Sequence, residues 1–306
     1  IGVTIAPAKL SVRLDGDIAA PPGQIDLRVP NVKAGGQRID NVVLSSRMSW
    51  SDQAVLALRN SGSFNLGKHA YDIAANVRLP ENDLLISDIL LRGEFLDLGG
   101  ELVLPGYAVP MKGSLELTKL DAEMLGDFGV PFANGTISGD IGFVPEDGRQ
   151  TVTLSALAKG LRIDQQPDGN PAMVENVNIA ATIRDAFAQP DIKADIDGKD
   201  IVFSPIAIDD VTVGIMGGLD AFDVTMNTTG FYQGNVPMSA DLAANIGLGD
   251  DIRVVADKFD FALSDQTIKL RSPLQFVMAA NGQQNLDADV TVGSGRLVAT
   301  VAQEAG

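Results

Sequence analysis

The sequence predicts an all-β fold. Apolar and polar residues alternate with period two along nearly the whole chain, clusters of Gly, Pro, Asn and Asp interrupt the alternation at short intervals, and only one short stretch has a helical signature.

In chain order, Leu10, Val12 and Leu14 alternate with Ser11, Arg13 and Asp15. After Pro21-Pro22-Gly23, Ile25, Leu27 and Val29 do the same, and Ala34-Gly35-Gly36 turns the chain again. Val55, Leu56 and Leu58 follow a polar turn at Ser51-Asp52-Gln53. Beyond a break at Asn60-Ser61-Gly62, Tyr71, Ile73, Ala75, Val77 and Leu79 share one face. Short strands around Leu98 and Val103 lead to the helical candidate, residues 120–128, with Asp121 as its N-cap. Two turns are too few to stand alone, so this piece is expected to lie against a sheet face or across an opening. Alternation resumes at Ile137, Ile141 and Phe143 and continues to Ile163, followed by a turn at Asp168-Gly169-Asn170-Pro171.

Within the strands, one phrase recurs. It reads aliphatic, acidic or Ser, Asn or Asp, Val or Ile, any residue, aliphatic. The copies are Ile39-Asp40-Asn41-Val42-Val43-Leu44, Ile86-Ser87-Asp88-Ile89-Leu90-Leu91, Val174-Glu175-Asn176-Val177-Asn178-Ile179 and Ile208-Asp209-Asp210-Val211-Thr212-Val213. In a regular strand the first and fourth positions point to opposite faces, unless the backbone resets between them. Asn and Asp tolerate left-handed dihedrals, so each copy predicts a bend or bulge, with Asn41, Asp88, Asn176 and Asp210 at bends or strand-entry turns. The first and fourth copies also follow similar Pro turns at offsets of 168 and 169 residues, which favours a repetitive β architecture.

Composition limits the functions available. A net charge of -17 and a pI near 4.3 oppose nucleic acid or an anionic membrane surface as the main partner. The absence of cysteine removes disulfide and thiolate chemistry. Aromatic residues make up only 5% of the chain, which hints at an interior not filled by its own rings. The chain opens on Ile1 with a strand already under way and reads as an excised segment of a longer protein, residues 1–306 forming one uninterrupted repetitive unit.

Candidate chemistry is sparse. His69 is the only histidine and reads as an ordinary surface side chain, so no triad and no multi-His metal site is inferred. Asp195-Ile196-Asp197-Gly198-Lys199-Asp200 resembles the start of a calcium loop, but Asp200 stands where Gly is needed, and a polar hairpin turn is the expectation. No catalytic residue, cofactor or metal is assigned.

Several stretches together resemble the TamB family, the inner-membrane component of the translocation and assembly module, and more broadly the AsmA-like bridge lipid-transfer proteins. They are residues 14–21 leading through 32–36 to the first bend phrase, Lys112-Gly113-Ser114-Leu115-Glu116-Leu117 with the helical stretch, residues 183–190, and Ile268-Lys269-Leu270-Arg271-Ser272-Pro273-Leu274. The likeness covers nearly the whole chain. It implies a long antiparallel or mixed sheet curled into an open hydrophobic groove, a β-taco, with the short helix near 120–128. About eighteen strands at ~4.8 Å spacing would extend on the order of 85 Å. It also implies a periplasmic location, with the inner-membrane anchor and the contact to an outer-membrane barrel partner made by regions outside this segment.

The expected function is a non-enzymatic conduit that shields phospholipid or nascent outer-membrane protein strands between the two membranes. The expected groove wall is Ile179, Ala181, Ile183, Ile192, Ala194, Ile196, Phe222, Val224, Met226, Phe259, Phe261, Leu263, Leu274, Phe276 and Met278. The alternative is an extracellular adhesive β-repeat protein with acidic calcium-binding turns.

Overall fold

The computed structural model describes residues 3–16, 21–34, 37–51, 55–128, 132–164, 171–249 and 251–303. The chain is all-β, with 21 antiparallel strands among the described residues. The strands are β1 (Val3–Ile5), β2 (Lys9–Leu14), β3 (Gly23–Ala34), β4 (Gln37–Trp50), β5 (Leu56–Leu66), β6 (His69–Leu79), β7 (Asp83–Gly93), β8 (Leu96–Pro105), β9 (Lys112–Asp121) and β10 (Asn134–Glu146). Next come β11 (Arg149–Ile163), β12 (Ala172–Arg184), β13 (Asp191–Phe203), β14 (Ile206–Gly218), β15 (Ala221–Tyr232) and β16 (Val236–Leu248). The last are β17 (Ile252–Leu263), β18 (Gln266–Leu270), β19 (Leu274–Met278), β20 (Gln284–Val292) and β21 (Gly295–Gln303). The helical stretch is a 3-10 helix, Ala122–Phe128, between β9 and β10.

Two compact units divide the chain, residues 1–121 with 138–150 and residues 122–137 with 151–306. In the first, β3 to β9 form a meander in which each strand pairs with the next, and β1 and β2 lie in line along the other edge of β3. The second is a meander from β11 to β17. There β18 and β19 pair with β17 in line and β20 pairs with both, so they act as one strand interrupted at Ser272-Pro273. Proline cannot donate to a ladder, which accounts for the break. Such in-line pieces raise the strand number above the expected eighteen.

The recurring phrase lies inside strands β4, β7, β12 and β14, not at strand-entry turns. Asn41 and Asp88 are left-handed, at φ 53° and 52°. Asn41 and Val42 together oppose the single residue Phe64, and Ser87 and Asp88 together oppose Glu101. On β14, Asp209 is the extra residue, between the pairs Ile208–Gly230 and Asp210–Thr229. These three copies are β-bulges. Asn176 is different, since its strand keeps register on both sides and the expected bend is absent there. The left-handed residues of that region are Gly160 (φ 59°) and Asp200 (φ 53°), on the flanking strands opposite Glu175. Every copy nevertheless resets the alternation. Val174 and Val177 pack on the same cluster, and register puts Ile39 with Val42, Ile86 with Ile89, and Ile208 with Val211 on common faces.

Two other sequence expectations need correction. Asn60-Ser61-Gly62 runs within β5, and Asp195 to Asp200 within β13, where Asp195 and Asp197 point away from Ile196 instead of closing a hairpin. The turns at Ala34-Gly35-Gly36, Ser51-Asp52-Gln53 and Asp168-Gly169-Asn170-Pro171 lie wholly or partly outside the described residues.

Few apolar side chains are buried among the described residues. They are Val29, Tyr71, Ala122, Ala158, Leu161, Ala194, Ala244 and Ala256, and five of these eight are alanines. In the first unit Tyr71 stacks on Phe64 at 5.4 Å and covers Gly93, where a Cβ would fall 2.4 Å from the Tyr71 ring. In the second unit Ala122 of the 3-10 helix is fully buried against Ala158 and Leu161, with Phe132, Ile137, Val174 and Val177 around them. The short helix therefore lies against a sheet face, as its length demands.

The opposite face is polar and laced with charge. Asp289 meets Arg296 at 2.7 Å, and its carboxyl is held below the ordinary value of 3.8 by that hydrogen bond and by the Arg296 and Arg271 charges. Asp241 is lowered in the same way by hydrogen bonds from Asn227 and Lys258.

Two predictions follow from these features. Valine at the left-handed Asn41 should cost about 1–2 kcal/mol in urea unfolding, whereas Asn176→Val, in regular strand, should stay within about 0.5 kcal/mol. Equal costs would remove the distinction between bulge and flat strand. Because the folded carboxyl of Asp289 is depressed, its stabilisation is present above pH 3.8 and is lost as pH falls through the folded value. Asp289→Asn should therefore flatten the acid limb of a stability–pH profile below about pH 4; an unchanged limb contradicts this.

Candidate functional site

The fifteen residues read from the sequence lie on β12, β13, β15, β17 and β19, all in the second unit. Directly opposed residues of an antiparallel pair share a face. Ile179, Ala181 and Ile183 stand opposite Ile196, Ala194 and Ile192. These in turn oppose Val213, Ile215 and Gly217 of β14, which oppose Met226, Val224 and Phe222. On β16 the rows continue through Leu242, Ala244 and Ile246.

At β17 a bulge becomes necessary. Leu242 opposes Phe259, while Ala244 and Ile246 oppose Ala256 and Val254, and the register shift between Ala243 and Ala244 leaves Asp257 as the extra residue. The shift keeps odd-numbered Phe259, Phe261 and Leu263 on the same face as even-numbered Ala256, Val254 and Ile252. Ala256, Val254 and Ile252 then oppose Leu274, Phe276 and Met278. All fifteen positions therefore belong to one continuous apolar face.

The face has relief. Its middle row, Ala181, Ala194, Ile215, Val224, Ala244, Ala256 and Leu274, is rich in alanine, and larger side chains flank it on both sides. Ala194, Ala244 and Ala256 are 9%, 7% and 4% exposed because those neighbours shade them. Of the fifteen, the other fourteen are only half-buried.

The sequence reading missed Val213 and Ile215, the β16 segment 242–246, and Ile252, Val254 and Ala256. On β14 and β16 the alternation itself was sufficient signal. On β17 the bulge switched its phase and hid residues 252–256.

The first unit carries an apolar face of its own. A recess of about 470 Å³ is lined by Ile25, Leu27, Leu44, Ile73, Val77 and Ile86, with Ser46 and Asn60 among them. The Asn60 amide donates to the Ala75 carbonyl at 3.2 Å, and the buried Ser46 hydroxyl has no hydrogen-bond partner among the described residues. Leu10, Val12 and Leu14 of β2 extend this face and are 65%, 53% and 55% exposed.

His69 is not a surface side chain. Its ring sits edge-on to Phe95 at 4.5 Å and 3.8 Å from a Glu94 oxygen, with 13% of the side chain exposed. This is a packing role for the imidazole. What the two apolar faces offer a ligand is mainly dry surface and dispersion contact, with Ser46 and Asn60 among the polar groups that line the first unit's recess.

No family model, no curated protein and no solved structure matches the chain.

Proposed function

We propose that this chain is a non-enzymatic segment of a periplasmic conduit, in which the apolar face shields phospholipid acyl chains, or transiently a nascent outer-membrane strand, on passage between the membranes. The observation that carries the reading is the continuous face of β12 to β19, whose side chains are apolar yet, apart from three buried alanines, mostly half-buried. Two sheets closed face to face bury both inner faces to interior packing density. A face left half-covered over this many strands is a surface that gains by covering, at roughly 25 cal/mol per Å² of apolar area.

The dimensions suit a lipid. The middle row crosses seven strands, and six spacings of ~4.8 Å give about 29 Å. The hydrocarbon core of a bilayer is about 30 Å thick and holds two acyl lengths, so one chain lies along the alanine row with room to advance. The alanine floor between larger flanking residues is the relief that such a chain would follow. The resemblance to TamB and the AsmA-like bridge proteins supports the same reading, with the membrane anchor and the barrel partner engaged by regions outside residues 1–306.

A photo-crosslinking amino acid at Ile196 or Phe261 should capture phospholipid when the protein is expressed in a two-membrane bacterium. The same probe at Met216, which is 56% exposed on the opposite face, should not. Capture of protein alone at every apolar position, or equal lipid capture on both faces, would sink the conduit.

A further inference from the structure

On the polar side of the first unit, four residues of β2 to β5 stand in one cross-strand row. Arg13 opposes Gln24, Gln24 opposes Arg47, and Arg47 opposes Arg59. Like charges set directly opposite each other on a sheet are destabilising. Several bases of this acidic chain are paired with carboxylates, as Arg38 is with Asp40 at 2.7 Å and Arg92 with Asp97 at 3.2 Å. Arg47 and Arg59 have no carboxylate partner among the described residues; Arg13 lies near the charge of Asp26, and Asp15 lines the same recess. Asp26 is itself occupied, since both its oxygens accept from the Gln24 amide at 3.0 Å.

A recess of about 530 Å³ opens over this row, and its lining includes Arg13, Asp15, Gln24, Arg47, Ser49 and Arg59. Three arginines and one aspartate, Asp15, line this open recess, a locally cationic pocket on a chain of net charge -17. Global repulsion does not cancel it, because charges beyond about 8 Å are screened at physiological ionic strength. Planar guanidinium forks match tetrahedral oxyanions in bidentate geometry.

We propose that Arg13, Arg47 and Arg59 form a binding site for a phosphate group, carried either by a phospholipid headgroup or by a small soluble phosphate. The occupant supplies the negative charge that the Arg47–Arg59 pair lacks and turns a repulsive cross-strand contact into a shared one. The site lies on the face opposite the apolar recess and does not rest on the conduit reading.

Trp50 is the only tryptophan and donates to the Pro21 carbonyl at 3.1 Å, next to Pro22 in the recess lining, so its fluorescence reports occupancy. Inorganic phosphate should shift Trp50 emission and raise the melting temperature relative to chloride at matched ionic strength. Vesicles of phosphatidylglycerol should co-sediment the protein more than vesicles of phosphatidylcholine. The double variant Arg47→Gln/Arg59→Gln should weaken either response by at least about tenfold. It should also melt higher than the parent when no phosphate is present, which shows that it folds and that repulsion has been relieved. A response to phosphatidylglycerol without one to inorganic phosphate assigns the headgroup, and the reverse assigns the soluble anion. Absence of both responses in the parent, or responses of equal size in the double variant, overturns the site.

Discussion

Successive side chains of a β-strand point to opposite faces, so an apolar face survives across many strands only while every strand holds the same phase. The rest of this molecule depends on that constraint. Long strands accumulate twist and drift, and a one-residue slip would turn a row of isoleucines to the polar side. The chain meets the problem with bulges. At Asn41, Asp88, Asp209 and Asp257 one extra residue is inserted against a neighbouring strand, and the alternation restarts with the apolar side chains on the same face. At Asn41 and Asp88 the residue is left-handed, a backbone that Asn and Asp tolerate, and Asp88 is held by accepting from the Asn76 amide of the neighbouring strand at 2.6 Å.

A face maintained in this way is not a core. The buried apolar residues are few and mostly alanine, and the larger aliphatics stand half-covered beside them. Stability must then come from the ladder of backbone hydrogen bonds, from cross-strand contacts along each face, and from local plugs. Tyr71 over Gly93 is one such plug, and Ala122 of the 3-10 helix against Ala158 and Leu161 is another. Charges on the polar side, such as Asp289 between Arg296 and Arg271, add surface pairing of the kind that contributes only modestly in water.

Much of this was legible in the sequence, because period-two alternation is a direct imprint of the strand. The class and the shared face of Ile179 to Met278 came from it, and the short helix from the one stretch that breaks it. What it did not show was where phase changes inside a strand. Residues 252–256 of β17 looked out of step with Phe259, Phe261 and Leu263 until the bulge at Asp257 reconciled them. The recurring phrase announced a reset but not its location. In the third copy the left-handed residues fall on neighbouring strands, at Gly160 and Asp200, which pairing determines and a single strand's sequence cannot. The run from Asp195 to Asp200 misled for a related reason, since acidic residues and Gly198 suggest a turn whereas β13 passes straight through them. The arginine row was invisible for the same cause, because Arg13, Arg47 and Arg59 become neighbours only through register.

The central claim is that one face of the second unit takes hydrocarbon and the other does not. Methyl NMR with a spin-labelled stearic acid reads both faces in one spectrum. The methyls of Ile196, Val213, Val224 and Leu242 should broaden on addition of the fatty acid, and those of Val202, Val255 and Val298 on the opposite face should keep their intensity. Equal broadening of the two sets, or none in the first, would contradict it.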